Sequence, residues 1–278
     1  FRSYLSSKLY LFERLIKKKG DIITDANIPQ IKKIENIAIK KDINLSLIFN
    51  KKKGIELISH SYVREKQILK VLLGNKKFEI ALNLIGKIQI KNVLMAILAA
   101  NKSGLDIKKI FNVIHKLKPV EGRLEKIGSL RNNSKVILDY AHTPAALELA
   151  LINIKEQFPE SKISLVFGCG GERDFKKRSI MGKIADRYSD TIYLTDDNPR
   201  NENPSKIRRM IIQNYSKKVI EIGNREKAIE GAMKELKSNE ILLVAGKGHE
   251  EIQDYGKYKI KISDKSVIKN NLKINNKI

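Results

Sequence analysis

Residues 135–278 alternate between short apolar segments and longer amphipathic ones, and this alternation constrains the fold more than any other feature. The apolar segments have the length of strands: KVILDYA, KISLVFG, TIYLTDD, KVIEIG and EILLVAG. Strands separated by helices of roughly 10–15 residues predict right-handed crossovers. The pattern therefore predicts an α/β fold with a parallel, doubly wound sheet, followed by a hairpin around Gly256 and a last helix.

The first half of the chain mixes helical and strand patterns. Apolar residues recur at near-helical spacing from residue 4 to residue 16, and we expect this helix to end at Gly20. Five strands are predicted next, in DIIT, INLSLIF, GIELIS, QILKVLL and KFEIALNL. Further helices are predicted in PQIKKIENIAIK, KNVLMAILAANKSG and DIKKIFNVIHKLK.

A polar segment at residues 118–135 contains one proline and two glycines and interrupts the periodicity. Such a segment is typical of a domain boundary, and a chain of 278 residues is long enough for two domains. We therefore predict domains at residues 1–122 and 123–278.

The composition, with 42% hydrophobic and 31% charged residues, is that of a soluble globular protein. No apolar run approaches the roughly 20 residues that cross a bilayer, so we expect a cytoplasmic protein without membrane insertion. The single cysteine, Cys169, excludes an internal disulfide and a multi-cysteine metal site. The net charge of +24 arises mainly from scattered lysines, which favours a solvated surface over a nucleic-acid partner.

Four polar motifs follow predicted strands: DYAHTP, GCGGERD, DDNPR and GKGHEE. Because parallel strands end at the same edge of a sheet, we expect these motifs to lie together where such sheets bind ligands. Both signs of charge occur there, which suits a zwitterion such as an amino acid. GCGGERD alone is equally compatible with a glycine-rich turn or an anion site. We interpret His60, His115 and Cys169 as structural, and His142 as part of a helix cap.

The order and spacing of LDYAHTP, VFGCGGERD…KR, TDDNPR and LVAGKGHEE resemble the Mur ligases, in their MurE-type branch. The resemblance is densest over residues 118–251. In the first half, YLSSKLYLFERL resembles the lysine helix of the family's central domain, and GKIQIKNVLMAILAA resembles a segment of the same domain. The resemblance implies the C-terminal part of a central ATP-binding domain, followed by a Rossmann-like domain that binds an amino acid.

The resemblance also implies an ATP-dependent ligase that acts through an acyl phosphate in peptidoglycan precursor synthesis. Lys8 matches the family's carbamylated lysine, whose carboxylate supports Mg²⁺. Asn92, Arg123 and Asp139 match residues that hold ATP, and we expect Asp139 to accept from a ribose hydroxyl. The chain departs from the family pattern before Asn92, where Ile88-Gln89 replaces the usual Phe-Asn.

The implied substrates are UDP-N-acetylmuramoyl-L-alanyl-D-glutamate and meso-diaminopimelate. The matching positions for the amino acid are Arg173, Asp197, Asn198, Pro199, Arg200, Gly246 and Glu250. Diaminopimelate differs from lysine by a second carboxylate, which the fork of Arg200 can bind through two parallel bonds. Asp197 and Glu250 are the expected partners of its distal ammonium group.

The family's phosphate-binding pattern, G-x-x-x-x-G-K-[ST], does not occur in these residues. We therefore expect the C-terminal part of a longer protein, monomeric and inactive alone. An L-lysine-adding Mur ligase and a folylpolyglutamate synthase-like ligase are the nearest alternatives. A non-catalytic nucleotide- or anion-binding module with a nucleic-acid partner is an alternative from another class.

Overall fold

A computed structural model describes residues 2–212 and 218–275, without the side chains of residues 2, 3 and 275. The chain forms two compact units that divide between Lys118 and Pro119. The sequence pattern places this boundary after residue 122 instead. Residues 119–122 belong to the second unit, because their backbone is hydrogen-bonded to it: Tyr140 N donates to Gly122 O at 2.8 Å.

The first unit contains one five-stranded sheet in the order β1-β2-β3-β4-β5. Its elements are α1 (Arg2–Tyr10), a π-helical turn (Leu11–Leu15), β1 (Asp21–Asp25), α2 (Ile31–Lys41), β2 (Asn44–Ile48), β3 (Gly54–Val63), β4 (Lys66–Leu73), β5 (Lys76–Leu82), α3 (Lys87–Lys102), α4 (Ile107–Val113) and a 3₁₀ turn (Ile114–Lys116). Strands β1 to β3 run parallel, and β3 to β5 are antiparallel. All five strands predicted for this half are confirmed.

The expected end of the first helix at Gly20 is wrong. The helical segment ends at Leu15, and Ile16 already has extended backbone with φ −75° and ψ 129°. The left-handed residue in the following turn is Lys19, at φ 61°. Ile16 still packs with Leu9 and Phe12 against the apolar cluster around α2. The apolar pattern therefore indicates packed residues that extend past the end of the helix.

The core of the first unit lies between α3 and the sheet. One face of α3 contacts β1, β2 and β3. The buried residues of this core include Ile48, Ile55, Leu69, Val71, Ile90, Val93, Leu94, Ile97 and Leu98. Full burial of each such side chain contributes about 1.5–3 kcal/mol. This cluster accounts for the stability of α3 better than helix propensity does.

The second unit contains a six-stranded sheet in the order β10-β9-β8-β11-β7-β6. Its elements are β6 (Glu125–Ser129), β7 (Lys135–Asp139), α5 (Pro144–Gln157), β8 (Ile163–Phe167), α6 (Lys176–Tyr188), β9 (Thr191–Leu194), α7 (Pro204–Ile211), β10 (Lys218–Glu221), α8 (Arg225–Lys234), β11 (Ile241–Ala245), β12 (Ile252–Asp254), β13 (Lys259–Lys261) and α9 (Asp264–Asn275). Strands β7 to β11 are all parallel. The parallel, doubly wound sheet and the hairpin β12-β13 are confirmed.

One strand of this sheet was not expected from the sequence. Strand β6 lies in the polar segment 118–135 and pairs antiparallel with β7 at the sheet edge. All five of its residues are only half-buried, so it lacks an apolar run that would mark it. The helix predicted over residues 204–216 ends earlier, because α7 ends at Ile211 and Ile212 has extended backbone with φ −87° and ψ 96°. Residues 213–216 of that prediction lie outside the described residues.

The central strands β8 and β11 are buried at every position. Strands covered on both faces are mostly apolar, which explains the runs ILLVA and ISLVF, the second of which has one polar residue, Ser164. Side-chain oxygens of Thr143, Asn203 and Asn224 accept from backbone N–H groups at the starts of α5, α7 and α8. Each of these helices therefore begins at a fixed point just after a strand-end loop. Among the described residues, no helix is long and apolar enough to span a membrane.

Candidate functional site

A cleft of about 530 Å³ lies in the second unit, where the strands β9, β8, β11 and β7 end side by side. All four polar motifs contribute to it. Its walls are formed by Tyr140, His142, Thr143, Pro144, Gly168, Cys169, Gly170, Arg173, Asp174, Lys177, Ile180, Asp197, Asn198, Arg200, Gly246 and Glu250. The volume is that of a small-molecule site, at the position where parallel sheets bind ligands.

The glycine-rich loop after β8 runs in backbone contact with the loop after β9. A Cβ atom on Gly168 would lie 2.2 Å from Thr195 O, and one on Gly171 would lie 1.9 Å from Pro199 O. Gly171 N donates to the backbone oxygen of Asn198 at 2.9 Å. These glycines are thus required by the close approach of two backbones, whether or not the loop holds an anion.

Cys169, in the same loop, is 3% exposed, and its Sγ lies 3.7 Å from Met181 Sδ. Burial raises the pKa of the Cys169 thiol to about 12. A thiol that stays protonated at neutral pH is a poor nucleophile, and the structural interpretation of this cysteine agrees with its surroundings.

The two adjacent acids after β9 have different surroundings. The carboxylate of Asp196 is paired with Arg208 and accepts from Tyr255 OH at 2.9 Å, so it belongs to the interior. Asp197 lines the cleft, and its Oδ1 accepts from Asn198 N at 2.7 Å. Across residues 2–212 and 218–275 no salt bridge reaches Asp197. Within those ranges Asp197, like Asp174 in the same wall, is therefore an acid of the cleft without an ion-pair partner.

Glu250 shares the cleft with Lys247, a fully buried lysine. Lys247 Nζ donates to Glu250 Oε2 at 3.0 Å, to Asn198 Oδ1 at 3.2 Å and to Ile252 O at 2.6 Å. Tyr140 OH donates to Glu250 Oε1 at 3.0 Å. Burial opposes ionisation of Glu250, but the bond and charge of Lys247 together with the neighbouring donors leave its pKa below the ordinary value. Glu250 is therefore an anion at neutral pH.

Two arginines, together with Lys177, supply the positive side of the cleft. Arg200 has a left-handed backbone with φ 52°, and its Nη1 donates to Gly171 O at 2.6 Å. Arg173 is exposed, and no hydrogen bond or ion pair to its side chain is found in the described part of the chain. A cleft with guanidinium groups and carboxylates can bind both ends of a zwitterion.

Comparison with known proteins identifies the family. Residues 122–248 match the family "Mur ligase, glutamate ligase domain". The chain is 37% identical over 274 residues to a UDP-N-acetylmuramoyl-L-alanyl-D-glutamate--2,6-diaminopimelate ligase of Rickettsia montanensis. This chain belongs to the Mur ligases. The alignment covers 98% of the chain and 56% of the relative, so the chain spans just over half the length of the curated relatives that it matches.

Solved structures of Mur ligases share the fold. A UDP-N-acetylmuramoyl-L-alanyl-D-glutamate--2,6-diaminopimelate ligase superposes with a TM-score of 0.69 at 24% identity, over 98% of this chain and 56% of that one. A MurF ligase of Thermotoga maritima, solved in complex with ADP, superposes with a TM-score of 0.70 at 16% identity, over 99% and 58%. At these identities the likeness concerns the fold alone.

Two of the residues predicted to hold ATP in this Mur ligase chain lie near the cleft without lining it. Asp139 is 8% exposed, and its two carboxylate oxygens accept from Leu124 N at 2.7 Å and Ala141 N at 2.8 Å. Burial raises its pKa, although these bonds and Arg123 partly oppose the rise. The guanidinium of Arg123 lies 4.8 Å from the centre of the Tyr140 ring. The expected ribose contact of Asp139 stays a prediction.

The other predicted residues, Lys8 and Asn92, belong to the first unit. Lys8 lies on an exposed position of α1, with Nζ 5.4 Å from the centre of the Tyr4 ring. Asn92 is exposed on α3, and its Nδ2 donates to Gln89 Oε1 at 3.2 Å. The described residues contain no cluster of three or more His, Cys, Asp or Glu side chains that could hold a metal ion.

Sequence reasoning missed the buried pair of Arg178 and Glu202. Arg178 is 1% exposed and donates to both carboxylate oxygens of Glu202. A signal existed in the sequence, because Arg178 shares one face of α6 with the buried residues Met181 and Ala185. A lone arginine on an apolar helical face indicates a buried ion pair.

Proposed function

We propose that this chain carries the amino-acid-binding domain of an ATP-dependent ligase that adds meso-diaminopimelate to UDP-N-acetylmuramoyl-L-alanyl-D-glutamate. The observation that carries the proposal is the cleft at the ends of four adjacent strands, where Arg173 and Arg200 are opposed in charge by Asp197 and Glu250. The name of the relative that is 37% identical supports the same reaction. Because the chain spans 56% of that relative, the ligation is proposed for the whole protein.

In the proposed reaction, the γ-phosphoryl group of ATP is transferred to the terminal carboxylate of the UDP-linked dipeptide. The amine of diaminopimelate then forms a C–N bond to the activated carbonyl, phosphate leaves with the electrons of the C–O bond, and the amine loses a proton. A site for the incoming amino acid must hold it in one orientation, with its amine free to attack. The second unit supplies this orientation.

The charges of the cleft match both ends of diaminopimelate. Asp197, which has no internal salt bridge among the described residues, is the proposed partner of the distal ammonium group. Glu250 is already compensated by Lys247, so it adds a weaker attraction for the same group. Arg200 keeps Nε and Nη2 free of hydrogen bonds within the described ranges and can present them to a carboxylate.

Of the residues proposed to serve ATP and Mg²⁺, Lys8 and Asn92 lie in the first unit, and Arg123 and Asp139 lie in the second. Lys8 is exposed and so accessible to carbon dioxide. After its ammonium group loses a proton, the neutral amine would form an N–C bond to carbon dioxide and release a second proton to water, which gives a carbamate. Mg²⁺ requires oxygen ligands and, when bound to phosphates, would neutralise their charge. Asn92 is proposed to contact the adenine of ATP, because it matches the family pattern at that position.

Selectivity for diaminopimelate over L-lysine follows from the second carboxylate. With lysine bound, Arg200 would face no anion. A hydrogen bond to a charged group contributes about 1.5–3 kcal/mol, so loss of even one of the two expected bonds corresponds to roughly 10- to 150-fold in affinity. The L-lysine-adding ligase is therefore the second candidate. Relatives that are 37% and 36% identical to this chain are named for the diaminopimelate-adding reaction and not for folylpolyglutamate synthesis.

Calorimetric titration of this chain with meso-diaminopimelate, L-lysine and L-glutamate tests the proposal. We expect meso-diaminopimelate to bind most tightly, and Arg200→Ala to lower its affinity to that of L-lysine. Arg187→Ala is the matched control, because Arg187 is an exposed arginine of α6 outside the cleft. Tighter binding of L-lysine than of diaminopimelate to the unmodified chain would favour the lysine alternative. Equal affinities would contradict the selectivity argued for Arg200, and binding of neither would contradict both functions.

A further inference from the structure

The hairpin of β12 and β13 packs against the loop after β9, although it contributes no residue to the cleft wall among those described. At its centre is Gln253, which is 2% exposed. Gln253 Nε2 donates to Asp196 O at 3.1 Å and to Asp197 O at 2.7 Å. One buried amide thus satisfies two consecutive carbonyl groups of the loop that carries Asp197 and Arg200.

The next two hairpin residues continue this contact. Arg200 N donates to Asp254 O at 2.9 Å, and Asp254 N donates to the side-chain Oδ1 of Asn198 at 2.9 Å. Tyr255 OH donates to Asp196 Oδ2 at 2.9 Å. Together with Gln253, these residues bind the loop at Asp196, Asp197, Asn198 and Arg200, so the hairpin contacts nearly every residue of DDNPR.

The hairpin also holds Arg200 in an unfavourable backbone conformation. A non-glycine residue with φ 52° persists only where its surroundings determine the conformation. Gly256, at the turn of the hairpin, packs on that backbone: a Cβ atom there would lie 3.0 Å from Arg200 O and 2.3 Å from Asn201 Oδ1. The direction of the Arg200 guanidinium therefore depends on the hairpin as well as on its own loop.

Little else would explain the docking of this hairpin. Its other large apolar side chains point to solvent, with Ile252 53%, Tyr258 58% and Ile260 40% exposed. An isolated two-stranded hairpin has marginal stability, so it must be held by what it docks on. Among the described residues, the contacts that hold it include the hydrogen bonds to the DDNPR loop, the packing of Gly256 on Arg200, and the bond from Lys247 Nζ to Ile252 O.

We propose that Gln253 is a positioning residue for substrate selectivity, which acts through the hairpin by fixing Asp197 and Arg200 in the orientation that distinguishes diaminopimelate from lysine. The ligand part of this inference rests on the proposed function. The mechanical part, that Gln253 orders the Arg200 backbone, stands on the hydrogen bonds alone.

The test compares the unmodified chain with Gln253→Leu, which removes the amide donor, and with Tyr255→Phe, which removes one hydroxyl and keeps the ring. Lys259→Ala is the control, because Lys259 is exposed on the same hairpin. Two quantities are measured: the ratio of affinities for meso-diaminopimelate and L-lysine, and the hydrogen-exchange rate of the Arg200 amide. The amides of β11 serve as an internal reference for global unfolding.

We expect Gln253→Leu to lower the affinity ratio on the order of tenfold and to speed exchange at Arg200, while the β11 amides remain protected. Tyr255→Phe should change both quantities in the same direction by less, and Lys259→Ala should change neither. A merely structural role would expose the β11 amides to the same extent as Arg200, and that result would overturn the proposal.

The inference and the proposed function fail in different ways. If the unmodified chain prefers diaminopimelate and both hairpin variants keep that preference, the inference is wrong and the proposed function stands. If the unmodified chain does not prefer diaminopimelate, the proposed function and the selectivity role fail together. The claim that Gln253 orders the Arg200 backbone is then still tested by hydrogen exchange. Faster exchange of the Arg200 amide in Gln253→Leu would support that claim, and an unchanged rate would overturn it.

Discussion

Arg178 and Glu202 form a two-bonded ion pair, with Nη1 to Oε2 and Nη2 to Oε1 both at 2.8 Å. Arg178 Nη2 also donates to Gly170 O at 3.2 Å, and Glu202 accepts from Glu172 N. Glu202 follows the DDNPR loop, while Gly170 and Glu172 belong to the GCGGERD loop. The pair therefore joins the two loops that carry Arg200 and Arg173, the arginines of the cleft.

The two partners of this pair should respond unequally to replacement. Arg178 is 1% exposed at its side chain and Glu202 is 37% exposed, so only the carboxylate can be solvated when it is left alone. We expect Glu202→Ala to lower the free energy of unfolding by about 3 kcal/mol, the low end for a broken buried pair, and Arg178→Met to cost less. The double variant should regain part of the loss. Urea unfolding of all three variants measures these differences, and equal costs would contradict the asymmetry.

The pair also predicts how stability depends on pH. The hydrogen bond from Arg178 lowers the pKa of Glu202 below its ordinary value of 4.5. Between the two pKa values the unfolded chain binds more protons than the folded one, so this contribution is present above about pH 4.5 and is lost as the pH falls through the folded value. The urea midpoint should fall less steeply with acidification in Arg178→Met than in the unmodified chain. The exposed control Arg187→Met should keep the original slope.

Two glycines should respond with opposite signs to the same substitution. Gly171→Ala would place Cβ 1.9 Å from Pro199 O and force the cleft loops apart, so we expect a loss of several kcal/mol. Gly231 lies inside α8, where a Cβ would meet only Ile222 Cδ1 at 3.7 Å. Gly231→Ala should therefore stabilise the chain by about 0.5–1 kcal/mol. Thermal unfolding of both variants checks the signs, and a stabilising Gly171→Ala would contradict the observed loop contact.

The sequence predicts those elements whose burial leaves a local pattern. Strands β8 and β11 are buried throughout, and all their residues except Ser164 are apolar, so both are recognised directly. Strand β6 is half-buried at the sheet edge, so it has no apolar run, and the sequence does not reveal it. That the four motifs lie together is predictable too, because the carboxyl ends of parallel strands lie at one edge of the sheet. This prediction does not require the order of the strands.

The roles of individual charged residues depend on contacts that no local pattern contains. Asp196 and Asp197 are adjacent acids, and only the tertiary partners Arg208 and Tyr255 show that the first is internal. Lys247 looks like a surface lysine of a glycine-rich loop, but its Nζ is held among Asn198, Glu250 and Ile252. Gln253 contacts carbonyl groups more than 50 residues earlier, a separation at which sequence spacing gives no information.

Cys169 provides a chemical probe of the cleft loops. It lies in the cleft wall but is 3% exposed, and burial raises its pKa to about 12. Only the thiolate reacts with iodoacetamide, and four pH units below the pKa about one thiol in ten thousand is ionised. At pH 8 we expect the folded chain to be alkylated orders of magnitude more slowly than the urea-unfolded chain, as measured by mass spectrometry.

The same reaction should report on the contact between the two loops. Gly171→Ala pushes the GCGGERD loop away from Pro199 O, which should expose Cys169 and speed its alkylation under folding conditions. Gly231→Ala lies in α8, outside these loops, and should leave the rate unchanged. If native Cys169 reacted as fast as the unfolded thiol, its burial and the raised pKa would both be wrong. If Gly171→Ala reacted as slowly as the unmodified chain, the close approach of the two loops would not be what shields the thiol.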